Sequence, residues 1–359
     1  MKNLIRFEFR KILLNRLAII SLAAVFLLSL GLFFSTLQGM HAFDGKSAEG
    51  TGRTAVAIDK KIASEYEGIL TDKKVQQMMS EFKITQDLHG LNAKYIYINA
   101  LQSAAFSHFS DMDGKWNGLS VADVYGDKEI NIGYVNGWLS TSRNMIKVFL
   151  FLSLVIVLLI APVFSGEYSG VDNIILTSRY GKTKCATAKV IASLIVAITV
   201  TILVVAFNLI IAFMAYGKDG WNCSILFAPM EFSEGYIPFN ITCGTVLKYQ
   251  ILLAFLSAVS VTGITLILSA VCKNQMISFV AAATIYIIPI MLPIAETNGL
   301  YRLIVLMPLY YSQYISIMSV EQMGNGMLYA IWAVPVAVIL MIFGSVISRR
   351  KFIKHQVYS

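Results

Sequence analysis

The sequence predicts an all-α polytopic membrane protein: six transmembrane helices, a large and mostly helical outer loop between the first two, and a re-entrant segment before the last. Three observations carry this. Of 359 residues, 57% are hydrophobic and 14% charged, against about 25% charged in an ordinary soluble domain. So little polar surface cannot cover a water-soluble fold of this size. The apolar residues come in runs of about 20, the length a helix needs to cross a bilayer. Basic residues gather where those runs end, as positive-inside flanks do.

The net charge of +8 does not point to nucleic acid. Lys2, Arg6, Arg10, Lys11 and Arg16 precede the first apolar run. Arg179, Lys182, Lys184 and Lys189 precede the third, and Arg349, Arg350, Lys351 and Lys354 follow the last. Such placement fits anionic lipid headgroups.

Residues 1–16, MKNLIRFEFRKILLNR, form an amphipathic cytoplasmic helix. Leu4, Ile5, Phe9, Ile12 and Leu13 can turn to lipid while Lys2, Arg6, Arg10 and Lys11 turn to headgroups or a partner. The first span covers 17–37 and is retained. It is longer than the roughly 7–15 residues of a signal-peptide core, and no convincing A-x-A site follows it.

Residues 38–144 have the composition of a soluble domain. Ile58, Ile62, Ile69, Val75, Met78, Met79 and Phe82 recur at near-helical spacing. A second helix is expected around Leu91 to Phe109. Gly114, Gly118, Gly126, Gly133 and Gly137 then mark a loop-rich return to the membrane.

Spans two to six are Met145–Phe164, Val190–Tyr216, Tyr249–Val271, Met276–Ala295 and Met327–Ile347, and together with their loops they fill 145–347. Residues 348–359 are a basic tail. Both termini are then cytoplasmic, and so are 165–189 and 272–275. Leu300–Val320 is apolar enough for a seventh span, but a seventh crossing would carry the basic tail outside. Arg302, Pro308 and the tyrosines Tyr310, Tyr311 and Tyr314 fit a re-entrant segment better.

Catalytic signatures are lacking. The four histidines form no H-E-x-x-H, and no span centre carries a charge. Gly45-Lys46-Ser47 and Gly181-Lys182-Thr183 end like a phosphate loop. The glycine required five residues earlier is Met40 in one and Leu176 in the other. The chain is therefore expected to be no enzyme and to bind no metal or cofactor of its own. Cys223 and Cys243 share one outer loop and are disulfide candidates in an oxidising compartment, with two unpaired thiols as the open alternative.

The informative stretch is Phe164 to Lys189, FSGEYSGVDNIILTSRYGKTKCATAK. Glu167, Gly170 and Asp172 lead into the apolar Ile174, Ile175 and Leu176. Thr177, Ser178 and Arg179 follow, and Ala188-Lys189 closes the stretch. This order, together with the amphipathic N-terminus and the loop plan, resembles the type-2 ATP-binding-cassette exporter permeases. The chain departs from that family's pattern in two places: Gly170 lies one residue closer to Glu167, and Arg179 stands where a proline often follows the serine.

The resemblance implies a permease subunit in a bacterial plasma membrane, paired with a second permease, identical or homologous. A separate cytoplasmic ABC ATPase would bind the ATP and Mg. The cargo would be amphipathic or hydrophobic, such as a peptide or antibiotic. It further implies that 165–189 couples to the ATPase through Glu167, Gly170, Asp172, Ser178, Arg179, Lys182 and Lys184. Arg6, Glu8 and Arg10 would form a second contact. The alternative is a membrane sensor or resistance component whose outer domain binds a ligand and which signals through a partner.

Overall fold

Asn15 marks the first break in the chain. Its side-chain oxygen accepts the Ala18 N–H at 2.7 Å while its amide donates to the Ile12 carbonyl at 3.1 Å. One residue thus closes helix α1 (Lys2–Leu13) and opens helix α2 (Arg16–Gly39). The computed structural model describes residues 1–44, 47–82, 99–111, 113–168, 181–228, 239–294, 298–319 and 329–354.

Beyond α2, a hairpin pairs β1 (His41–Phe43) with β2 (Glu49–Thr51). Helices α3 (Arg53–Tyr66) and α4 (Asp72–Glu81) flank β3 (Gly68–Ile69), and α5 (Ala100–Phe109) and α6 (Val121–Tyr125) precede β4 (Asn131–Ile132), the partner of β3. Long helices follow: α7 (Asn136–Ile160) with the short α8 (Pro162–Ser165), α9 (Ala186–Tyr216) and α10 (Cys243–Val271). Next comes α11 (Gln275–Met291). The short α12 (Gly299–Ile304), a 3-10 turn at Pro308–Tyr311 and α13 (Tyr314–Ser319) lead to α14 (Ala333–Lys354).

Five described helical stretches are long and apolar enough to cross a membrane: Arg16–Gly39, Asn136–Ser165, Thr183–Tyr216, Cys243–Val271 and Ala333–Lys354. The chain is therefore a mostly helical, multi-pass membrane protein. The expected fifth span is the 17-residue apolar helix α11, about 25 Å long at 1.5 Å per residue and at the lower bound of about 17–25 residues for a spanning helix. Pro289 lies inside that helix and Pro293 just beyond its end. Residues 299–319 fall into three short pieces, so no helix there is long enough for a seventh crossing.

The chain divides into two units. The first comprises Met1–Ser29, Met145–Phe207 and Gln250–Ser359. Its long helices meet through small residues and hydroxyls. A Cβ on Gly344 would lie 2.7 Å from the Gly263 carbonyl carbon, so α10 and α14 touch backbone to backbone. Pro162 interrupts α7, and Ser269 of α10 repairs the break: its hydroxyl donates to the Ala161 carbonyl at 2.7 Å and accepts the Phe164 N–H at 2.9 Å. Ser153 and Ser257 hydroxyls meet at 3.0 Å, and Ser257 donates to the Pro308 carbonyl at 2.9 Å. That bond ties the broken segment to the bundle.

The second unit, Leu30–Asn144 with Asn208–Tyr249, holds the small sheets and helices α3 to α6. The apolar spacing read from sequence belongs to two helices rather than one. Ile58 and Ile62 are buried on α3, Val75, Met78 and Met79 on α4, and Phe82 at its end, while Ile69 sits on β3 and is exposed. The expected helix at Leu91–Phe109 is described only as Ala100–Phe109, its earlier part lying outside the described residues. Trp138 and Trp221 meet edge to face at 4.9 Å, and the Trp138 indole N–H donates to the Asp219 carbonyl at 2.8 Å.

Two boundaries differ from expectation. Helix α7 begins at Asn136, nine residues before the predicted 145, because Trp138, Leu139 and the hydroxyls of 140–142 are buried in the second unit. The basic tail is helical through Lys354, and Phe352 is fully buried against Phe164 at 5.1 Å. Lys351 and Lys354 in its last turn complement the helix dipole.

Candidate functional site

Four charged side chains of the first unit converge where α1, the end of α8 and the start of α9 meet. Lys189 lies one helical turn into α9, between alanines at 186, 188 and 192 whose small side chains leave room for its stem. It is wholly buried. Its ammonium donates to Glu167 Oε1 at 2.8 Å and to Glu8 Oε2 at 3.1 Å. Lys11, half exposed, donates to the same Glu167 oxygen. Cys185 points its thiol at Glu8 Oε1, 3.9 Å away.

Two carboxylates and two ammonium groups therefore share one largely dry site with no net charge. Burial alone would push the Glu167 carboxyl up. Lys189 first, then Lys11, outweigh it and hold Glu167 below the usual carboxylate range. Removing Lys189 would leave the Glu8 carboxylate buried and unpaired, a loss of about 3–5 kcal/mol.

Local sequence explains how each group arrives. Glu8 and Ile12 stand four residues apart, so they share the inward face of α1, while Arg6, Phe7 and Arg10 are exposed. Gly166 lies just before Glu167. A Cβ there would come within 2.6 Å of the Pro162 carbonyl and 3.1 Å of Gln275 Nε2, so only glycine lets the chain turn this tightly. A π turn at Gly181–Cys185 then leads into α9.

Of the residues singled out in sequence, the structure joins Glu8 and Glu167. Glu8 had been expected to face a partner and does the opposite. It is 5% exposed and spends its carboxylate inside the chain. Lys184 is exposed, and Lys182 lies in the π turn. Gly170, Asp172, Ser178 and Arg179 lie outside the described residues.

Sequence reasoning missed Lys11 and Lys189 as members of one site. A signal existed: Glu8 is the only acidic residue before Asp44, set among Lys2, Arg6, Arg10 and Lys11. A lone carboxylate in a basic helix invites a search for a buried cation.

Cys223 and Cys243 face each other across an antiparallel bridge. The Cys243 N–H donates to the Cys223 carbonyl at 2.9 Å beside the Ser224–Thr242 pair, and both thiols are free and buried. Facing residues joined by such a bond sit farther apart than non-bonded pairs. Burial first, with Glu67 adding to it, pushes the Cys223 thiol up to about 11.

Among the described residues no three His, Cys, Asp or Glu side chains gather as a metal would require. No family model, curated protein or solved structure matches the chain.

Proposed function

We propose that this chain is the permease subunit of an ATP-driven exporter of the type-2 ATP-binding-cassette kind, with ATP and Mg held by a separate cytoplasmic ATPase. The observation that supports it most is the ion cluster. Through Glu8, Lys189, Glu167 and Lys11, a basic amphipathic helix is bonded to the two helices that bracket the connector 169–180. A force applied to α1 passes through these bonds to the residues that follow α8 and to the start of α9. An energy-coupling device needs this property, and a segment that merely sets topology does not.

On this reading both termini and the ion cluster face the cytoplasm of a bacterial plasma membrane. Arg6 and Arg10 present their charge to the ATPase or to headgroups. Glu167 and Lys189 serve as the hinge pin rather than as partner contacts. A second permease, identical or homologous, completes the pathway. The cargo is an amphipathic or hydrophobic molecule, in keeping with spans that carry no charge at their centres.

The test is to purify the tagged chain from its native membrane with its associated proteins and to measure ATP hydrolysis. A stoichiometric nucleotide-binding partner should appear, and Arg6→Glu with Arg10→Glu should weaken it at least about tenfold, about 1.4 kcal/mol. Lys189→Met should keep the partner and lose coupled turnover. Folded protein that brings no ATPase with it overturns the proposal.

A further inference from the structure

The second unit contains a cavity of about 280 Å³ walled by three separate stretches of chain: α3 with Lys60, Lys61 and Glu67, the turn at Gly133–Tyr134, and the turn at Asp219–Gly220. We propose that it binds a small zwitterion of the α-amino-acid type. This goes beyond the transport reading and stands or falls separately from it.

The walls are preformed by glycine. Gly217 and Gly220 adopt φ of +68° and +77°, which side chains rarely tolerate, and a Cβ on Gly220 would collide with the Tyr134 carbonyl. A Cβ on Gly133 would sit 2.8 Å from Cys223 Sγ. Three backbone segments are thus held against one another with no side chain between them, leaving the cavity mouth to charged groups from α3 and Asp219.

Those groups are of both signs. The Lys60 ammonium is 2.6 Å from Asp219 Oδ2 and 5.7 Å from the centre of the Tyr134 ring, so an anchored cation lies beside an anchored anion. Lys61 and Glu67 add one more charge of each sign at the rim. Tyr134 is 4% exposed, and its hydroxyl has no hydrogen-bond partner among the described residues. A buried hydroxyl in that state is free to take a hydrogen bond from or give one to a bound molecule.

The charge pattern selects the ligand. A simple anion would meet two carboxylates and a simple cation two ammonium groups. A molecule carrying an ammonium beside a carboxylate offers a partner to groups of both signs at once. The cavity volume leaves room for a modest side chain next to the Tyr134 ring, close to the lower end of known ligand pockets at roughly 300 Å³.

The experiment is a thermal-shift titration of the full chain in detergent with L-leucine, N-acetyl-L-leucine and L-leucinamide, each to about 10 mM. L-Leucine should raise the melting temperature saturably, and neither blocked form should. Asp219→Asn should weaken binding at least about tenfold, and so should the exposed Glu67→Gln, which spares the Lys60 pair if Asp219→Asn fails to fold. No shift with L-leucine, or an equal shift with a blocked form, overturns the proposal. So does full binding in a folded Glu67→Gln variant. The presence or absence of a co-purifying ATPase affects none of these outcomes.

Discussion

Lys189 and Glu167 meet at 2.8 Å with neither side chain more than 2% exposed, although 21 residues separate them in the chain. Their bond depends on Glu8 as well, which reaches the same ammonium from α1. The three behave as one group: each is tolerable in a dry interior only because the others are present.

Lys189→Met should therefore cost about 3–5 kcal/mol, because it strands the buried Glu8 carboxylate and leaves Glu167 only the half-exposed Lys11. Removing those carboxylates as well, in a Lys189→Met, Glu8→Gln, Glu167→Gln triple variant, should restore most of the loss. Thermal unfolding in detergent reads both. Equal loss in the single and triple variants would show that packing, not charge, holds the site.

Gly263 and Gly344 set the approach of α10 and α14. Gly263→Leu should separate these helices and lower stability by roughly 1–3 kcal/mol, in line with overpacking of a filled core. Gly31 has nothing within 4 Å of the place a Cβ would occupy, and Gly31→Leu should be silent. Parallel melting curves of the two variants check the contrast.

Asp59 of α3 is buried, and burial is the main cause that lifts its carboxyl from 3.8 to about 6, against hydrogen bonds from Ala100 and Asn136. An acid with a raised folded-state value favours folding most below its unfolded value. Its contribution declines as pH rises from about 4 to 6 and stays constant above that, a total of about 3 kcal/mol at 1.36 kcal/mol per unit. Asp59→Asn, which keeps an acceptor for the Ala100 N–H, should stabilise the second unit at pH 7 to 8. That gain should vanish below about pH 4. Chemical unfolding across that range, followed by tryptophan emission, measures it.

The Cys223 thiol, buried and raised to about 11, is mostly protonated near neutral pH. Maleimide labelling at Cys223 and Cys243 should be slow in the native protein and fast after unfolding. The half-buried Cys272 should label first. Mass spectrometry of the labelled peptides gives the order. Rapid native labelling of Cys223 would contradict the burial.

Helices α2, α9 and α10 were legible because a 20-residue apolar run has few alternatives. The start of α7 was not, since Asn136 to Asn144 is polar in composition yet buried by distant partners such as the Tyr216 ring, on which Gly137 packs. The tail misled in the same way. Arg349, Arg350 and Lys351 read as solvated, while Phe352, three residues short of His355, anchors the helix. The ion cluster stayed hidden because Glu8 and Lys189 are 181 positions apart. A single sequence records that both are charged and nothing of their distance.

The balanced charges around Lys189 also divide how α1 is held. Its inward face closes a neutral lock whose attraction acts over a few ångströms, where dissolved ions do not enter. Its outward face, with Arg6 and Arg10, projects a positive field that fades over about 8 Å at physiological ionic strength. Raising the salt should therefore release whatever anionic surface the helix leans on while leaving the helix fastened to the bundle. The two roles of one short segment become separable by ionic strength alone.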